Sequence, residues 1–432
     1  MKANIPESSQ KRVVVLGGGF GGLKIARSLT GKEVQVVLID KNNYHQFQPL
    51  FYQVATAGLE PSTISFPLRK VFQKQKNLFI RVAEVTSVET ESKTIYTSTG
   101  PIGYDYLVIA LGADTNFFGN EGIRAHALPM KSVSEALAIR NHILENYEKA
   151  LSSEIEADRD ALMNIVVVGG GPTGVEVSGT LGEMKKYILP KDYPELDFNK
   201  MNVYLLEGSG RLLNGMTEIA SRKSKEYLET RGIHVQLNCT VKDYDGEYIV
   251  LADGTRIRSR TLIWAAGISG NKLNGLPPET IGRGGRILVD AYNQVNGVSG
   301  VYAIGDVALM ATEEKYPQGH PQVAQVAMQQ AKNLADNLLA DIHSKPKQPF
   351  HYKNLGSMAT IGRNRAVADL PFIHFQGFFA WLVWMFIHLM SIVGVKNRLF
   401  AFINWAWSYV TYDQSLRLII KQENKGETKS GG

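Results

Sequence analysis

The sequence is short of several things that common chemistries require. It has a single cysteine, Cys239, in 432 residues. That excludes an internal disulfide and any paired-cysteine redox or metal site. Its nine histidines and lone cysteine show no ligand spacing, so no bound metal is expected. A long apolar run is missing near the start: MKANIPESSQK is polar and leads at once into a strand. The expectation is a chain without secretory signal or early anchor, kept in the cytoplasm. Large charge excess is missing too, with a formal net charge of +6, and no nucleic-acid partner is expected. Asp, Glu, Lys and Arg are all absent from GFFAWLVWMFIHLMSIVG, Gly377 to Gly394.

What is present is balanced and globular, long enough for two or three domains. RVVVLGGGFGGLKIARSL reads as a buried strand, a glycine turn and a helix, with Gly17, Gly19 and Gly22 in G-x-G-x-x-G register. VQVVLID then ends a second strand in Asp40, where a carboxylate can bind ribose hydroxyls. The grammar returns in NIVVVGGGPTGVEVSGTLGEM, with Gly169, Gly171 and Gly174, followed by NVYLLEGS and Glu207. Two matches in full strand–turn–helix context predict two dinucleotide sites, each holding a pyrophosphate at a helix N-terminus. YDYLVIALGAD and TLIWAAGIS read as further buried strands running into small residues. GVYAIGDVA is expected to deliver Asp306 at a glycine turn immediately before a helical run.

On these segments the chain resembles the two-dinucleotide-binding flavoprotein superfamily. The resemblance implies an α/β fold: an FAD domain with an inserted NADH domain, both Rossmann-like, followed by a C-terminal amphipathic helical region for membrane association. The expected divisions are 1–130 and 276–370 for FAD, 131–275 for NADH, and 371–432 for the membrane-associated helices and tail. The resemblance assigns to FAD Gly17, Gly19, Phe20, Gly21, Gly22, Asp40, Lys41, Val85, Ala110, Gly112, Asp306, Ala324 and Gln325. It assigns to NADH Gly169, Gly171, Pro172, Thr173, Gly174, Glu176, Glu207, Ala266 and Gly267. Glu207 favours NADH over NADPH, because a carboxylate repels a 2′-phosphate, with Arg211 nearby as the opposing charge.

Many proteins of this architecture pass electrons from flavin to a cysteine pair. Here there is none, so reduced flavin must use a diffusible acceptor. YHQFQPLFYQVATAGLEPSTISFPLR, AQVAMQQ, GSMATIGRNRAVADL, AWLVWMFIHL and NRLFAFINWAWSYVTY are together similar to the type II NADH dehydrogenases. These are single-subunit, non-proton-pumping NADH:quinone oxidoreductases. What the resemblance implies is FAD as cofactor, NADH as substrate, a membrane quinone (ubiquinone or menaquinone) as acceptor, a homodimer, and peripheral attachment to the cytoplasmic face of a bacterial inner membrane. It places Gln325, Met328 and Gln329 at the quinone and gives catalytic roles to Gln325 and Glu176. Gln325 and Gln329 lie one turn apart on a helix starting near Pro321, and an amide suits a quinone carbonyl in an apolar pocket. Ordinary surface glutamines are the alternative. Glu176 is expected in the first turn of its helix, where the helix dipole favours a charged carboxylate.

Three readings are open for Gly377 to Gly394: a spanning helix, a core helix, or a helix lining a quinone entrance and touching the bilayer. The last is favoured, since His388 and Gln376 oppose spanning. Beyond it, Asn397, Ala401, Asn404, Ser408, Thr411 and Ser415 form a small or polar stripe. Phe400, Phe402, Ile403, Trp405, Trp407 and Tyr409 cover most of the remaining surface. Lys396, Arg398, Arg417, Lys421, Lys425 and Lys429 add cations suited to anionic lipid. A soluble NADH oxidase or ferredoxin-reductase-like flavoenzyme, or a membrane-associated redox-signalling flavoprotein, are the competing functions.

Overall fold

β-Branched runs become strands, and glycines turn them into helices. The computed structural model describes residues 3–411 and 416–419. The chain opens with strand β1 (Arg12–Leu16), helix α1 (Phe20–Leu29) and strand β2 (Gln35–Asp40). A short helix, α2 (Phe51–Ala55), precedes β3 (Leu78–Val82) and β4 (Tyr106–Ile109). The chain then builds β5 (Leu128–Pro129), the long helix α3 (Val133–Leu151), β6 (Ile165–Val168), helix α4 (Pro172–Glu183), β7 (Val203–Leu206), β8 (Ile233–Gln236) and β9 (Thr261–Trp264). It returns as β10 (Val301–Ala303) and helix α5 (Ala324–Ile342). Strands β11 (Ser357–Thr360), β12 (Ala366–Leu370) and β13 (Ile373–Gln376) lead into α6 (Phe378–Ser391) and α7 (Val395–Thr411).

Packing divides the chain into two units. The first comprises Met1–Gln46, Ser65–Asn116 and Ile268–Leu355. Its five-stranded parallel sheet has the order β10-β4-β1-β2-β3. Strands buried on both faces of a parallel sheet need continuous apolar sequence, and VVVL, VVLI and LVI supply it. Val14, Leu16, Val37, Ile39, Leu107, Ile109, Val301 and Ala303 enter one buried apolar cluster.

The second unit comprises Phe47–Ile64, Phe117–Gly267 and Gly356–Gly432. Its sheet repeats the plan in the order β5-β9-β6-β7-β8, again parallel throughout. The antiparallel sheet β11-β12-β13 packs on α4 and α6. Against the expected boundaries, residues 47–64, 117–130 and 356–370 group with the second unit and residues 268–275 with the first. The cause is packing, since α2 lies on α3 and α4, and β11 lies on α4.

Two further expectations are corrected. Asp306 is not followed at once by a helix: it sits in a single 3-10 turn, Gly305–Val307, followed by a short strand, and α5 begins only at Ala324. HVQLNCTV reads as one strand holding Cys239, but β8 ends at Gln236 and Cys239 lies beyond it, half-buried against the apolar cluster of its sheet. Among the described residues no helix is long and apolar enough to cross a membrane.

Candidate functional site: two dinucleotide cradles and a buried carboxyl

The two glycine loops share one construction. Gly17 and Gly169 both have positive φ, +100° and +111°, and a Cβ on either would stand 2.4 or 2.5 Å from the carbonyl oxygen of Ala110 or Ala265. Only glycine adopts this conformation at this spacing without strain. The third glycines, Gly22 and Gly174, pack on the first, where a Cβ would overlap the carbonyl of Gly17 or Gly169. The middle glycines differ. A Cβ on Gly19 or Gly171 would meet nothing within 4 Å. Each is the N-cap of its helix, and neither cap makes a side-chain hydrogen bond to the first turn of α1 or α4. That is a cradle for a phosphate group.

The acids at the ends of the second strands close the loops. Asp40 accepts from the amides of Gly18 and Asn42, each at 2.6 Å. Glu207 accepts from the amide of Gly170 and, at 2.8 and 2.6 Å, from the amide and hydroxyl of Ser209. Burial pushes the Asp40 carboxyl above its usual range against these donors. A carboxylate has about four acceptor positions, so both acids retain capacity for ribose hydroxyls.

The rest of the first unit's predicted set is spread over several elements. Phe20 opens α1 and meets the ring of His45 edge-on at 5.3 Å. Gly21 approaches Ile304 and Ala327. Ala110 is buried, Gly112 has a positive φ with open space around it, Val85 is half-buried and Lys41 is exposed. Asp306 stands in a turn held by the buried Gln330, which accepts from the amide of Gly305 at 2.8 Å, and by Gln322, which donates to the Asp306 carbonyl. His45 and Gln330 were missed from sequence. His45 is fully buried and its Nδ1–H donates to Gly18 O at 2.8 Å, so both polar groups of Gly18 are fixed. His45 stands in the quoted YHQFQPLFYQVATAGLEPSTISFPLR and Gln330 in AQVAMQQ, but neither pattern marks the residue itself.

Ala324 begins α5 and Met328 is exposed. Gln325 accepts from the amide of Leu355 at 2.9 Å. Gln329 pairs twice with the backbone of Lys353, donating at 2.9 Å and accepting at 3.0 Å. The side chains of Gln325 and Gln329 therefore pin the 353–355 segment together.

In the second unit Pro172 occupies the first turn of α4, Thr173 is exposed beside it, Ala266 is half-buried, and Gly267 has φ +107° with its Cα side against the ring of Phe118. Glu176 departs from expectation. It lies past the first turn of α4 and is buried. Desolvation pushes its carboxyl up to about 8, opposed only by the distant amide of Thr360 at 3.4 Å and by the indole of Trp384. Trp384 Nε1 is buried and points toward the carboxyl without a well-formed hydrogen bond. Glu176 is thus a neutral acid at pH 7. Together with Gln48, Phe51, Tyr52, Lys131 and Thr173 it lines a cleft.

The helices after β13 carry an apolar surface. On α6, Ala380 and Trp384 are buried, while Phe379 and Phe386 are 72% and 64% exposed. On α7 the small stripe faces inward: Ala401 is buried and Asn397 donates to Ser62 O at 3.1 Å. Trp405 also faces inward, correcting its placement on the outer face, because its indole N–H donates to Gln53 at 2.7 Å. Phe400, Phe402, Ile403 and Trp407 remain exposed. Arg363 donates to the carbonyls of Ser408 and Tyr409 at 2.8 and 3.1 Å and caps the end of α7. Ser415, Lys421, Lys425 and Lys429 lie outside the described residues.

Comparison with known proteins agrees with this construction. Residues 11–331 match the pyridine nucleotide-disulphide oxidoreductase family model, and residues 354–411 the NDH2 C-terminal domain. The chain is 33% identical over 433 residues to the type II NADH:quinone oxidoreductase Ndh of Mycobacterium tuberculosis, covering 97% of this chain and 92% of that one. The chain belongs to the type II NADH:quinone oxidoreductase family. A second relative from the same organism, NdhA, is 35% identical over 416 residues, covering 92% of this chain and 87% of that one. The solved structure of NDH2 from Plasmodium falciparum in complex with NADH shares the fold, with a TM-score of 0.87 at 24% identity over 95% of this chain and all of that one. Family membership makes this an oxidoreductase with a flavoprotein fold and a nicotinamide nucleotide site. Among the described residues no group of three His, Cys, Asp or Glu side chains could hold a metal ion.

Proposed function

We propose that this type II enzyme oxidises NADH through FAD and reduces a membrane quinone without pumping protons. The observation that carries the reading is the duplicated cradle: two helix N-termini without a side-chain cap, each behind a glycine loop whose first and third glycines tolerate no side chain. Both fit a dinucleotide. The balance is NADH, one proton and quinone giving NAD⁺ and quinol. Bound FAD would supply the two-electron chemistry between nicotinamide and quinone.

The chain's residues do the holding. Gly17, Gly19, Gly22, Asp40 and the Asp306 turn would hold FAD, and Gly169, Gly171, Gly174 and Glu207 NADH. Glu176, neutral at pH 7, keeps a proton in the cleft beside Thr173. Gln325 accepts from the amide of Leu355 and is the amide side chain assigned to a quinone carbonyl. The bidentate pairing of Gln329 with Lys353 supports a fastening role for that side chain. The exposed aromatic surfaces of α6 and α7, with Lys396 and Arg398, support peripheral attachment to the cytoplasmic face of a bacterial inner membrane. The homodimer rests on family resemblance and is checked by light scattering.

The test is steady-state turnover of purified protein with NADH and a short-chain quinone. Quinone-dependent NADH oxidation, with kcat/KM for NADPH at least tenfold lower, roughly the effect of one misplaced charge, is the expected result. Equal use of NADPH contradicts the role of Glu207, and no quinone dependence contradicts the function.

A further inference from the structure

We infer that Tyr52 is a ligand-contact residue of the second unit's cleft, presenting its O–H to the carboxamide oxygen of a bound nicotinamide, and that Gln53 and Trp405 are positioning residues that fix the direction of this O–H. The inference rests on the reading that the second glycine loop binds NADH.

Donor chemistry fixes the direction. An indole N–H only donates, so the 2.7 Å bond from Trp405 Nε1 must end on the amide oxygen of Gln53. The Gln53 NH2 then faces Tyr52 and donates to its hydroxyl oxygen at 2.8 Å. Tyr52 is therefore the acceptor in that bond. Its own hydrogen is aimed elsewhere, and Tyr52 lines the cleft with Thr173 and Glu176. Glu176 is near enough to raise the phenol's pKa further above its usual range, after burial has already raised it. The phenol stays protonated and remains a donor.

The cleft's polar groups suit a carboxamide. A carboxamide offers one carbonyl acceptor and one NH2 donor. Tyr52 supplies the O–H for the first, and the carbonyl oxygen of the neutral Glu176 carboxyl can accept from the second. Pro49, Phe51 and Met130 add apolar surface for a ring. The control runs from a long way off in sequence: Trp405 belongs to α7, 352 residues beyond Gln53.

The test uses the full-length, flavin-loaded protein under anaerobic rapid mixing. Flavin reduction is followed with NADH and with reduced nicotinamide mononucleotide, and reoxidation with a short-chain quinone. Tyr52→Phe is expected to need roughly five- to tenfold more of either donor for half-maximal reduction, the effect of one lost hydrogen bond, with reoxidation unchanged. Gln53→Glu places a carboxylate that accepts from both Trp405 and Tyr52, turning the O–H out of the cleft. It should reproduce the Tyr52→Phe loss, and the double variant should be no worse than Tyr52→Phe alone. Trp405→Phe, which releases the amide to turn over, should show the same selectivity for the reductive half even if its melting temperature falls. Wild-type reduction by Tyr52→Phe with both donors, a defect confined to reoxidation, or additive losses in the double variant overturns the inference. Failure of NADH to reduce the wild-type flavin overturns the functional reading beneath it as well.

Discussion

Glu176 has an ordinary side chain in an extraordinary place. Its ionisation in the fold is pushed up to about 8, from the usual carboxylate range, by burial first. Between these two values the folded state holds a proton that the unfolded state has lost. Stability contributed by the neutral acid is therefore fully present below the unfolded pKa and is lost as pH rises through the folded one. Glu176→Gln, which cannot ionise, should gain melting temperature over wild type progressively from about pH 5 to 8 and then hold a constant advantage. Thermal melts across that range check it, and a difference independent of pH contradicts a buried neutral carboxyl. The burial could not be seen in GGGPTGVE. It comes from Thr360 and Trp384, some two hundred residues away, and the local helix position suggested the opposite, a charged acid. Asp40 and Glu207 were legible because their neighbours are local: a strand end and a glycine turn within one βαβ unit bring acid and loop amide together in both units.

At the scale of elements, α6 and α7 were readable as helices from their composition, and their small stripe was readable as one face. Which tryptophan turned inward was not, because Trp384 and Trp405 owe their burial to partners on α4 and α2. His388 belongs to the same layer: it stacks on Trp384 with ring centroids 3.9 Å apart, and burial holds its imidazole down to about 4. The outward residues are separable from this layer, so attachment can be tested without disturbing the cleft. Replacing Phe400, Phe402 and Trp407 together by serine should release the protein from anionic vesicles in flotation, with NADH–ferricyanide activity kept within about twofold, since surface substitutions away from packed features cost within ~0.5 kcal/mol each. Retained vesicle binding would contradict the helix pair as the membrane contact. The same triple change with lost ferricyanide activity would show that the outer face is not independent of the site.

Across the whole molecule, the duplication was the most legible feature: two fingerprints predicted two parallel sheets with matching glycine loops, and both formed. The segments joining the two plans were less legible. Residues 47–64 lie within the sequence of the first sheet but pack in the second unit, as do 356–370, whose β11 lies on α4; Phe51, Val54 and Ala359 are buried there. The lone cysteine carried the largest functional weight, since without a dithiol the electrons must leave by a diffusible acceptor. The most direct measurement of that claim is an anaerobic titration of purified full-length protein followed by its visible spectrum. The account predicts a flavin band near about 450 nm, bleached by one equivalent of NADH and restored by one equivalent of quinone, with FAD released on acid denaturation. A protein that NADH bleaches but quinone leaves reduced, or one whose colour comes from a metal, would contradict it.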